Sequence, residues 1–410
     1  MTKKYTEEIE ENFTPITLNE EASRCLLCLD APCSKACPAG TDPAKFIRSV
    51  RFKNIKGAIE TVRENNILGG ICARVCPTEK YCQKGCSRSG IDKAIDIGRI
   101  QKYITDMEEE LHMNVLAKPI KNKKEHIAII GSGPSGLAAA GYLLLKGYHV
   151  DIYEKEKELG GYLRYGIPEY RLPNSVVDKE VNRIVSLGAC VYTNTTVGKD
   201  ITLEELEKKY DAVILGIGLN KAKTLPMFMN NPHVVSSISL LKEIKENKGN
   251  IKVPNNIIIV GGGDVAMDIA TSLKILGSKN VACVVYEEFS EFKASEKELE
   301  GARNLDISIY DGYIPLSVND NEVTFKHRKI DSEIKMKADL IVLAIGQEVD
   351  ATNIDVEFDK NEAKTSTYNI KGTNIFAVGD ISRNKEKSVV GAVRTAKEVV
   401  FEIAKYLEGK

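Results

Sequence analysis

Cysteine gives the strongest chemical signal in this sequence. Eight of the ten cysteines lie between Cys25 and Cys86, in a stretch that shows no secretory signal at its start. They form two runs, Cys25-x2-Cys28-x4-Cys33-x3-Cys37-Pro38 and Cys72-x3-Cys76-Pro77-x4-Cys82-x3-Cys86. Thiols stay reduced in the cytoplasm, where such spacing indicates metal ligation rather than disulfide pairing. We therefore expect a cytoplasmic protein whose first domain binds a metal centre.

Iron–sulfur clusters fit these cysteines better than zinc does. A 4Fe-4S cluster takes four thiolate-type ligands, so eight cysteines are enough for two clusters. Both runs contain a Cys-Pro step, and the first is similar to a bacterial ferredoxin run with a longer middle gap. Structural zinc usually takes two short pairs with histidine available, and no histidine precedes His112. Two 4Fe-4S clusters are the expectation, and zinc is the alternative.

A glycine-rich turn after the strand-like IAII has the context of a dinucleotide-binding fingerprint. It consists of Gly131, Ser132, Gly133, Pro134, Ser135 and Gly136. The first glycine is expected to make the tight turn, the second to let a pyrophosphate approach the backbone, and the third to let helix and strand pack closely. Glu154 ends the next strand, HVDIYE, where an acid accepts hydrogen bonds from ribose hydroxyls. The fingerprint alone leaves the identity of the dinucleotide open.

A second fingerprint follows the strand-like NIIIV. Its positions are Gly261, Gly263, Asp264, Val265 and Ala266, with alanine in the third glycine place, a change that the fingerprint permits. Glu287 and Glu288 end the next strand, VACVVYEE. An acid there can bind the 2′-hydroxyl of NAD and repels the 2′-phosphate of NADP. The sequence favours NAD, and the alternative for the two glutamates is a pair of solvated surface acids.

The predicted secondary structure that positions these motifs differs between the first part of the chain and the rest. Residues 1–118 contain short helical patterns around the cysteines, which predicts a small α-helical domain. Beyond a polar linker, strand-like and helix-like segments alternate, as in parallel α/β proteins. The predicted strands are HIAIIG, HVDIYE, DAVILGIG, NIIIVGG, VACVVYE, DLIVLAIG and NIFAVG.

Charge and hydropathy exclude two classes of partner. The chain has 57 basic and 58 acidic residues, a net charge of −1, so it lacks the excess positive charge of a nucleic-acid-binding protein. Residues 127–145 are uncharged and long enough to span a bilayer, but the glycines and proline in their middle predict a strand, a turn and a helix instead. We expect neither a nucleic acid nor a membrane as partner.

Three segments carry a family resemblance: RCLLCLDAPCSKACP, ENNILGGICARVCPTEKYCQKGC and IDIGRIQ. They resemble the two-cluster module shared by dihydropyrimidine dehydrogenase, the small subunit of glutamate synthase and related flavoproteins. The resemblance implies that one cluster is bound by Cys25, Cys28, Cys33 and Cys86. It implies that the other is bound by Cys37, Cys76, Cys82 and Gln101. Counting cysteines alone would place Cys72 in the second set, whereas the resemblance makes Cys72 a small buried side chain.

The same resemblance implies that FAD occupies the first dinucleotide site. LGGYLRYGIPEYRLP is similar to a segment that contacts FAD, with Gly160, Gly161 and Arg171 on its motif positions. NIFAVGDI resembles the flavin-binding motif in which Asp380, after Gly379, meets the ribityl chain. The helix that follows would direct its N-terminus at the flavin ring. NAD would then occupy the second site.

These inferences predict an α/β protein in which an N-terminal α-helical two-cluster domain precedes two Rossmann-like domains, with the NAD domain inserted in the FAD domain. The expected domains are the iron–sulfur domain at 1–118, the FAD domain at 124–222 and 347–410, and the NAD domain at 223–346. Two Rossmann domains use up the residues that follow the cysteine domain, so a barrel-type substrate domain has no room. The final electron acceptor must therefore lie on another chain.

Across its length the sequence resembles the NADH-accepting subunits of bacterial NAD-dependent dihydropyrimidine dehydrogenases, in segments such as GGGDVAMD, ASEKE and VTFKH. The resemblance implies a hetero-oligomer with an FMN and iron–sulfur subunit that interconverts uracil or thymine and their dihydro forms. One alternative is a glutamate synthase-type small subunit, and another is a non-enzymatic electron-transfer module. A disulfide reductase is disfavoured because Cys190 and Cys283 are isolated.

Overall fold

The computed structural model describes residues 4–117, 119–383 and 386–409. These residues form two compact units, each assembled from separate stretches of chain. The larger unit is built from Glu10–Leu163, Asn174–Leu219 and Val349–Lys410. The smaller unit is built from Met1–Ile9, Arg164–Pro173 and Asn220–Glu348. We retain the domain boundaries expected from the sequence as a proposal.

The described residues contain fourteen α-helices. These are α1 (Pro15–Ser23), α2 (Pro32–Lys35), α3 (Pro43–Arg51), α4 (Ile55–Asn65), α5 (Gly69–Val75), α6 (Ile97–Glu110), α7 (Pro134–Leu145), α8 (Tyr162–Tyr165), α9 (Asn174–Val185), α10 (Leu203–Lys209), α11 (Ser237–Glu246), α12 (Asp264–Ile275), α13 (Glu296–Asn304) and α14 (Val389–Glu408). None of the helices that the structure describes is long and apolar enough to cross a bilayer.

The same stretches contain seventeen strands. These are β1 (His126–Ile130), β2 (His149–Tyr153), β3 (Cys190–Tyr192), β4 (Ala212–Leu215), β5 (Lys221–Ala222), β6 (Val234–Ser236), β7 (Asn256–Val260), β8 (Asn280–Val284), β9 (Ser308–Tyr310), β10 (Tyr313–Asn319), β11 (Glu322–His327), β12 (Glu333–Lys337), β13 (Leu340–Leu343), β14 (Gln347–Glu348), β15 (Phe358–Asp359), β16 (Glu362–Ala363) and β17 (Ile375–Ala377).

The first six helices form the cysteine-rich part of the larger unit. Several begin at a capping side chain, such as Asp42 before α3 and Asn54 before α4, which accepts a hydrogen bond from a backbone N–H of the first turn. Their apolar residues recur at helical spacing and are buried, as Phe46, Ile59 and Val62 illustrate. The buried faces of α3, α4 and α6 meet in one core into which cysteine side chains also pack.

Each unit contains one five-stranded parallel sheet. The larger unit has the strand order β17-β4-β1-β2-β3, and the smaller unit has β6-β13-β7-β8-β9. All neighbouring pairs in both sheets are parallel. The central strands are continuous apolar runs because helices cover both faces of such sheets. All seven predicted strands are present, and the α/β fold class is confirmed.

The smaller unit also contains an antiparallel sheet of β10, β11 and β12, which the sequence analysis does not predict. Only one face of β11 is buried, through Val323 and Phe325, so these strands lack the long apolar runs that mark the parallel strands.

Candidate functional site

The structure gathers four cysteines from both runs into one group. Cys25 follows α1, Cys33 lies in α2 and Cys86 is the last cysteine of the second run, and all three pack into the helical core. Burial, together with negative charge on the neighbouring Cys86 and Cys25, raises the pKa of the Cys33 thiol to about 11. Cys28 lies beside Cys25, and its Sγ is 3.6 Å from the Ser87 hydroxyl. This group coincides with one of the two ligand sets expected from the sequence.

A second group lines a small cavity between α5, α6 and the first turn of α14. Its potential ligands are Cys37, Cys72, Cys76, Cys82 and Gln101. The expected ligands of the second cluster are thus close together, and Cys72 joins them. The pKa of the Cys72 thiol is raised to about 12, because the effect of burial exceeds the opposite effect of a hydrogen bond with the side chain of Asn66.

Gln101 occupies this cavity in an orientation that suits a ligand. Its side-chain Nε2 donates a hydrogen bond of 2.7 Å to the backbone carbonyl of Gly69, at the start of α5. Because the amide nitrogen is engaged, the carbonyl oxygen is the atom that remains able to bind a metal. Gln101 is 8% exposed, so it is shielded from solvent at this position.

The donor chemistry of both groups fits 4Fe-4S clusters. Each group is dominated by thiols, which are the ligands that iron–sulfur clusters require. Thr41 also lines the cavity, and its buried hydroxyl has no hydrogen-bond partner among the described residues. Within those residues, no three His, Cys, Asp or Glu side chains converge on a position for a single metal ion.

A buried ion network lies behind the cavity, and the sequence analysis missed it. The Arg63 guanidinium of α4 donates to Glu108 of α6 at 2.7 Å and to Glu180 of α9 at 2.8 Å. The Gly70 backbone N–H also donates to Glu180, at 3.2 Å. The network therefore fixes the first turn of α5, which carries Cys72. Its only sequence signal is a set of charged residues at buried helical positions.

The first fingerprint forms the turn between β1 and α7. A Cβ on Gly136 would lie 2.0 Å from the Gly131 carbonyl oxygen, which is why only glycine fits at this third position. Gly133 is the residue before α7, and Pro134 and Ser135 form its first turn. The backbone N–H groups at this helix end are donors for phosphate.

Glu154 lies directly beside this turn. One oxygen of its carboxylate accepts from the Ser132 backbone N–H at 2.9 Å and from the Ser132 hydroxyl at 2.5 Å. Gly160 donates its N–H to the same hydroxyl at 3.1 Å, and a Cβ on Gly161 would lie 2.7 Å from the Cα of Gly133. The fingerprint, its acid and the following double glycine therefore form one compact site.

The C-terminal motif joins that site in the same unit. A Cβ on Gly379 would lie 2.6 Å from the Ser135 hydroxyl, so this turn packs directly on α7. Burial raises the pKa of the neighbouring Asp380 carboxyl. The helix α14 then begins after Ser388, and its Val390 side chain also lines the cysteine cavity. The first turn of α14 thus contacts the second cysteine group, as expected for adjacent redox centres.

The second fingerprint forms the turn between β7 and α12 in the smaller unit. Gly261 has a φ of 140°, and a Cβ there would lie 2.3 Å from the Ala344 carbonyl oxygen, so glycine is required. Gly263 precedes α12, and Val265 and the buried Ala266 lie in its first turn. The Asp264 carboxylate accepts from the Ser295 backbone N–H at 2.7 Å.

The two glutamates after β8 have cationic neighbours that the sequence pattern did not reveal. Lys293 contacts the Glu287 carboxylate at 2.5 Å, and Lys329 contacts Glu288 at 2.7 Å. Burial by itself raises the pKa of the Glu287 carboxyl, but the hydrogen bond and charge of Lys293, a backbone hydrogen bond and the charge of Arg328 together outweigh burial, and the net shift is downward. The carboxylate of Glu287 is therefore kept ionised, which is the state that repels a phosphate.

Arg171, expected beside the flavin, lies in the smaller unit. Its guanidinium donates to the Asp268 carboxylate of α12 at 2.6 Å and to Glu298 of α13 at 2.9 Å. Both partners are more than four-fifths buried, so this is a stable structural contact. The flavin-contacting role of Arg171 stays a prediction.

Two parallel sheets with glycine turns, together with a helical domain that gathers eight thiols, define an iron–sulfur oxidoreductase of the two-dinucleotide class. Residues 2–113 match the family described as dihydropyrimidine dehydrogenase domain II, 4Fe-4S cluster. Residues 125–396 match the family described as pyridine nucleotide-disulphide oxidoreductase. The NAD-dependent dihydropyrimidine dehydrogenase subunit PreT of Escherichia coli is 48% identical over 409 residues, which cover 99% of this chain and 98% of the relative. The chain belongs to this PreT family.

Two further similarities are more distant. The small chain of glutamate synthase [NADPH] from Azospirillum brasilense is 28% identical over 445 residues, covering 98% of this chain and 92% of the relative. The solved structure of FprA from Mycobacterium tuberculosis has a TM-score of 0.60 at 16% identity, covering 70% of this chain and 85% of FprA, which shows the fold alone. Together the matches confirm the expected family, the oxidoreductase class and the cofactors FAD, NAD and 4Fe-4S clusters.

Proposed function

We propose that this chain is the NADH-linked subunit of a dihydropyrimidine dehydrogenase. It would carry electrons between NAD(H) and a partner subunit that contains FMN and interconverts uracil or thymine and their 5,6-dihydro forms. The observation that carries this proposal is the 48% identity to the PreT subunit, which extends over 99% of the chain. The partner would make the functional enzyme a hetero-oligomer.

The two glycine turns would hold the dinucleotides. The flavin site would use the β1–α7 turn with Glu154, Gly160, Gly161, Gly379 and Asp380, and the NAD site would use the β7–α12 turn with Glu287 and Glu288. Nicotinamide exchanges hydride with flavin, and the flavin exchanges single electrons with the clusters. The chain's own contribution is to orient the rings and to exclude water, because no protein nucleophile is required.

The two cysteine groups would hold the clusters. Cys25, Cys28, Cys33 and Cys86 would bind one cluster, and Cys37, Cys76, Cys82 and Gln101 would bind the other. The position of Val390 supports this assignment, because it belongs both to the cavity of the second group and to the helix that follows the flavin motif. The second group is thus the one adjacent to the flavin site.

The decisive experiment is to purify the enzyme from its own cells through a tag on this chain and to assay the complex under anaerobic conditions. The proposal predicts that the complex contains FMN and oxidises NADH only when uracil or thymine is added. Reduction of ferricyanide by NADH serves as the control that this chain is active. Oxidation of NADPH that depends on glutamine and 2-oxoglutarate would instead identify a glutamate synthase, and activity with ferricyanide alone would refute the pyrimidine reaction.

A further inference from the structure

Lys397 is a half-buried lysine of α14 that reaches the second cysteine group. Its Nζ donates a hydrogen bond of 2.5 Å to the backbone carbonyl of Ala39, two residues after Cys37. Gly40 follows with a φ of 71°, and a Cβ there would lie 4.0 Å from the same Nζ. The ammonium group therefore rests against the turn that leaves Cys37.

A tyrosine of the first dinucleotide motif holds the other side of Lys397. The ammonium lies 5.6 Å from the centre of the Tyr142 ring, which belongs to α7. The Tyr142 hydroxyl donates to the Asn65 carbonyl at 2.9 Å, just before α5. Negative charge on Cys72 and Cys37 contributes to the raised pKa of Tyr142, behind the larger effect of burial. Lys397 and Tyr142 thus come from the two flavin-motif helices and approach the same cysteine group.

The charge environment of Lys397 is unusual for a half-buried lysine. Among the residues that the structure describes, Lys397 makes no ion pair with a carboxylate, whereas the buried Lys102 pairs with Asp106 at 3.3 Å. Burial lowers the pKa of Lys397, and negative charge at Cys37 raises it. The anionic counterpart of this ammonium is therefore the cysteine group itself.

We propose that Lys397 is a positioning residue that raises the reduction potential of the iron–sulfur cluster bound by the Cys37 group. Reduction adds one negative charge to a cluster that is already anionic, and a nearby cation stabilises that added charge. The effect is stronger than in water because Lys397 is half-buried and the cysteine cavity is largely enclosed. This inference rests on the proposed ligand set, and it adds that the flavin domain itself supplies the cation.

The test compares neutral and charged replacements of Lys397 in the full-length chain with its cofactors. Lys397→Gln can still donate a hydrogen bond toward Ala39, and Lys397→Arg keeps the charge. Lys405→Met is the matched control, since Lys405 lies on the same helix and pairs with Glu402 near the surface. Both cluster potentials are measured by redox titration with electron paramagnetic resonance, and iron is counted per chain.

We expect Lys397→Gln to lower the reduced-to-oxidised ratio of one cluster about tenfold at a fixed potential, which corresponds to about 59 mV for one electron. The other cluster should change less than threefold, and Lys397→Arg and Lys405→Met should behave as the parent chain. Unchanged potentials in Lys397→Gln, or an equal fall in Lys397→Arg, would overturn the inference. If Lys397→Gln loses a cluster, Lys397→Met and Lys397→Arg are compared in its place. Loss of the same cluster in both variants would show that the positive charge of Lys397 has no role.

A separate variant distinguishes failure of this inference from failure of the ligand assignment. Cys37→Ala should remove the signal of one cluster while the other remains. If both cluster signals persist in Cys37→Ala, the ligand set is wrong. If one signal disappears there but Lys397→Gln has the parent potentials, the ligand set stands and the role of Lys397 is refuted.

Discussion

Cys72 and Gln101 present the sharpest chemical choice at the scale of single residues, because both line the cavity formed with Cys37, Cys76 and Cys82. The Gln101 amide is oriented by Gly69, whereas the Cys72 thiol is hydrogen-bonded to Asn66 and fully enclosed. The amide is oriented so that its carbonyl oxygen remains available to a metal, whereas the Cys72 thiol already has a hydrogen-bond partner. These contacts favour Gln101 as the fourth ligand.

The first prediction follows from that choice. Cys72→Ala should retain both clusters, with parent iron content and electron paramagnetic resonance spectra, because the small buried side chain only fills space. Gln101→Ala should alter the spectrum and potential of one cluster or lose that cluster. The reverse pattern, in which Cys72→Ala loses a cluster and Gln101→Ala is unchanged, would make Cys72 the ligand.

The second prediction concerns Glu287. Glu287→Gln should reduce the preference for NADH over NADPH by about tenfold, because a charge-assisted hydrogen bond to the ribose is lost and the repulsion of a 2′-phosphate disappears. The measurement is kcat/KM for each nucleotide with ferricyanide as acceptor. The exposed Glu300 provides the matched control, since Glu300→Gln should leave the preference unchanged. An unaltered preference in Glu287→Gln would make this glutamate an ordinary surface acid.

Residue types and spacing predicted two clusters, both glycine turns and Glu154, because each of these is a local pattern with a specific chemical requirement. The division of the cysteines between the two clusters came from the family resemblance instead. The partners of those residues could not be predicted. Asp268 and Arg171 are brought together by the folding of segments far apart in sequence, and Lys293 reaches Glu287 across a short irregular turn, so neither contact leaves a periodic signal in the sequence. The sequence pattern also did not reveal that Cys72 and Gln101 line the same cavity, because this depends on the three-dimensional position of α6.

At the scale of elements, the buried ion network between α4, α6 and α9 determines where α5 begins. Glu108 and Glu180 are almost completely buried, and both carboxylates contact Arg63 closely and Arg183 at 3.3–3.4 Å. Removal of one member of a buried network leaves uncompensated charge, which costs more than the loss of the contact itself. The geometry of the second cysteine group therefore depends on Arg63 through the first turn of α5.

The third prediction is that Arg63→Ala destabilises the larger unit by about 3–5 kcal/mol, because two buried carboxylates then share a single cation, Arg183, and one negative charge remains uncompensated. Thermal unfolding of the chain measures this loss. Lys56→Ala on the same helix is the control, since Lys56 is exposed and its contact with Glu60 is 3.8 Å long. A melting temperature for Arg63→Ala equal to that of Lys56→Ala would show that the network does not stabilise the fold.

The strand–turn–helix elements were predictable because their hydrophobic pattern and their glycine positions agree. The antiparallel strands β10, β11 and β12 were not, because burial of one face through alternate residues produces only a weak pattern over five to seven residues. Elements with continuous apolar runs are thus predicted better than elements with one solvent-exposed face.

At the scale of the whole molecule, the chain contains cysteine groups and two dinucleotide folds but no additional substrate domain among the described residues. The class of the protein could be predicted from the order of its motifs along the chain. The assignment of the N-terminal segment to the smaller unit could not, because it depends on Tyr5 packing edge-to-face on Tyr170 at 5.8 Å, a contact between residues far apart in sequence.

The most direct test of the account is an anaerobic titration of the purified holo-chain with NADH and, separately, with NADPH, followed through the absorbance of the flavin and the clusters. We expect NADH to bleach both chromophores at a concentration far below that required for NADPH, because in the proposed NAD site Glu287 would accept a ribose hydroxyl and would repel a 2′-phosphate. Bleaching that favours NADPH, or no bleaching with either nucleotide, would contradict the proposal that this chain accepts electrons from NADH and delivers them to its clusters.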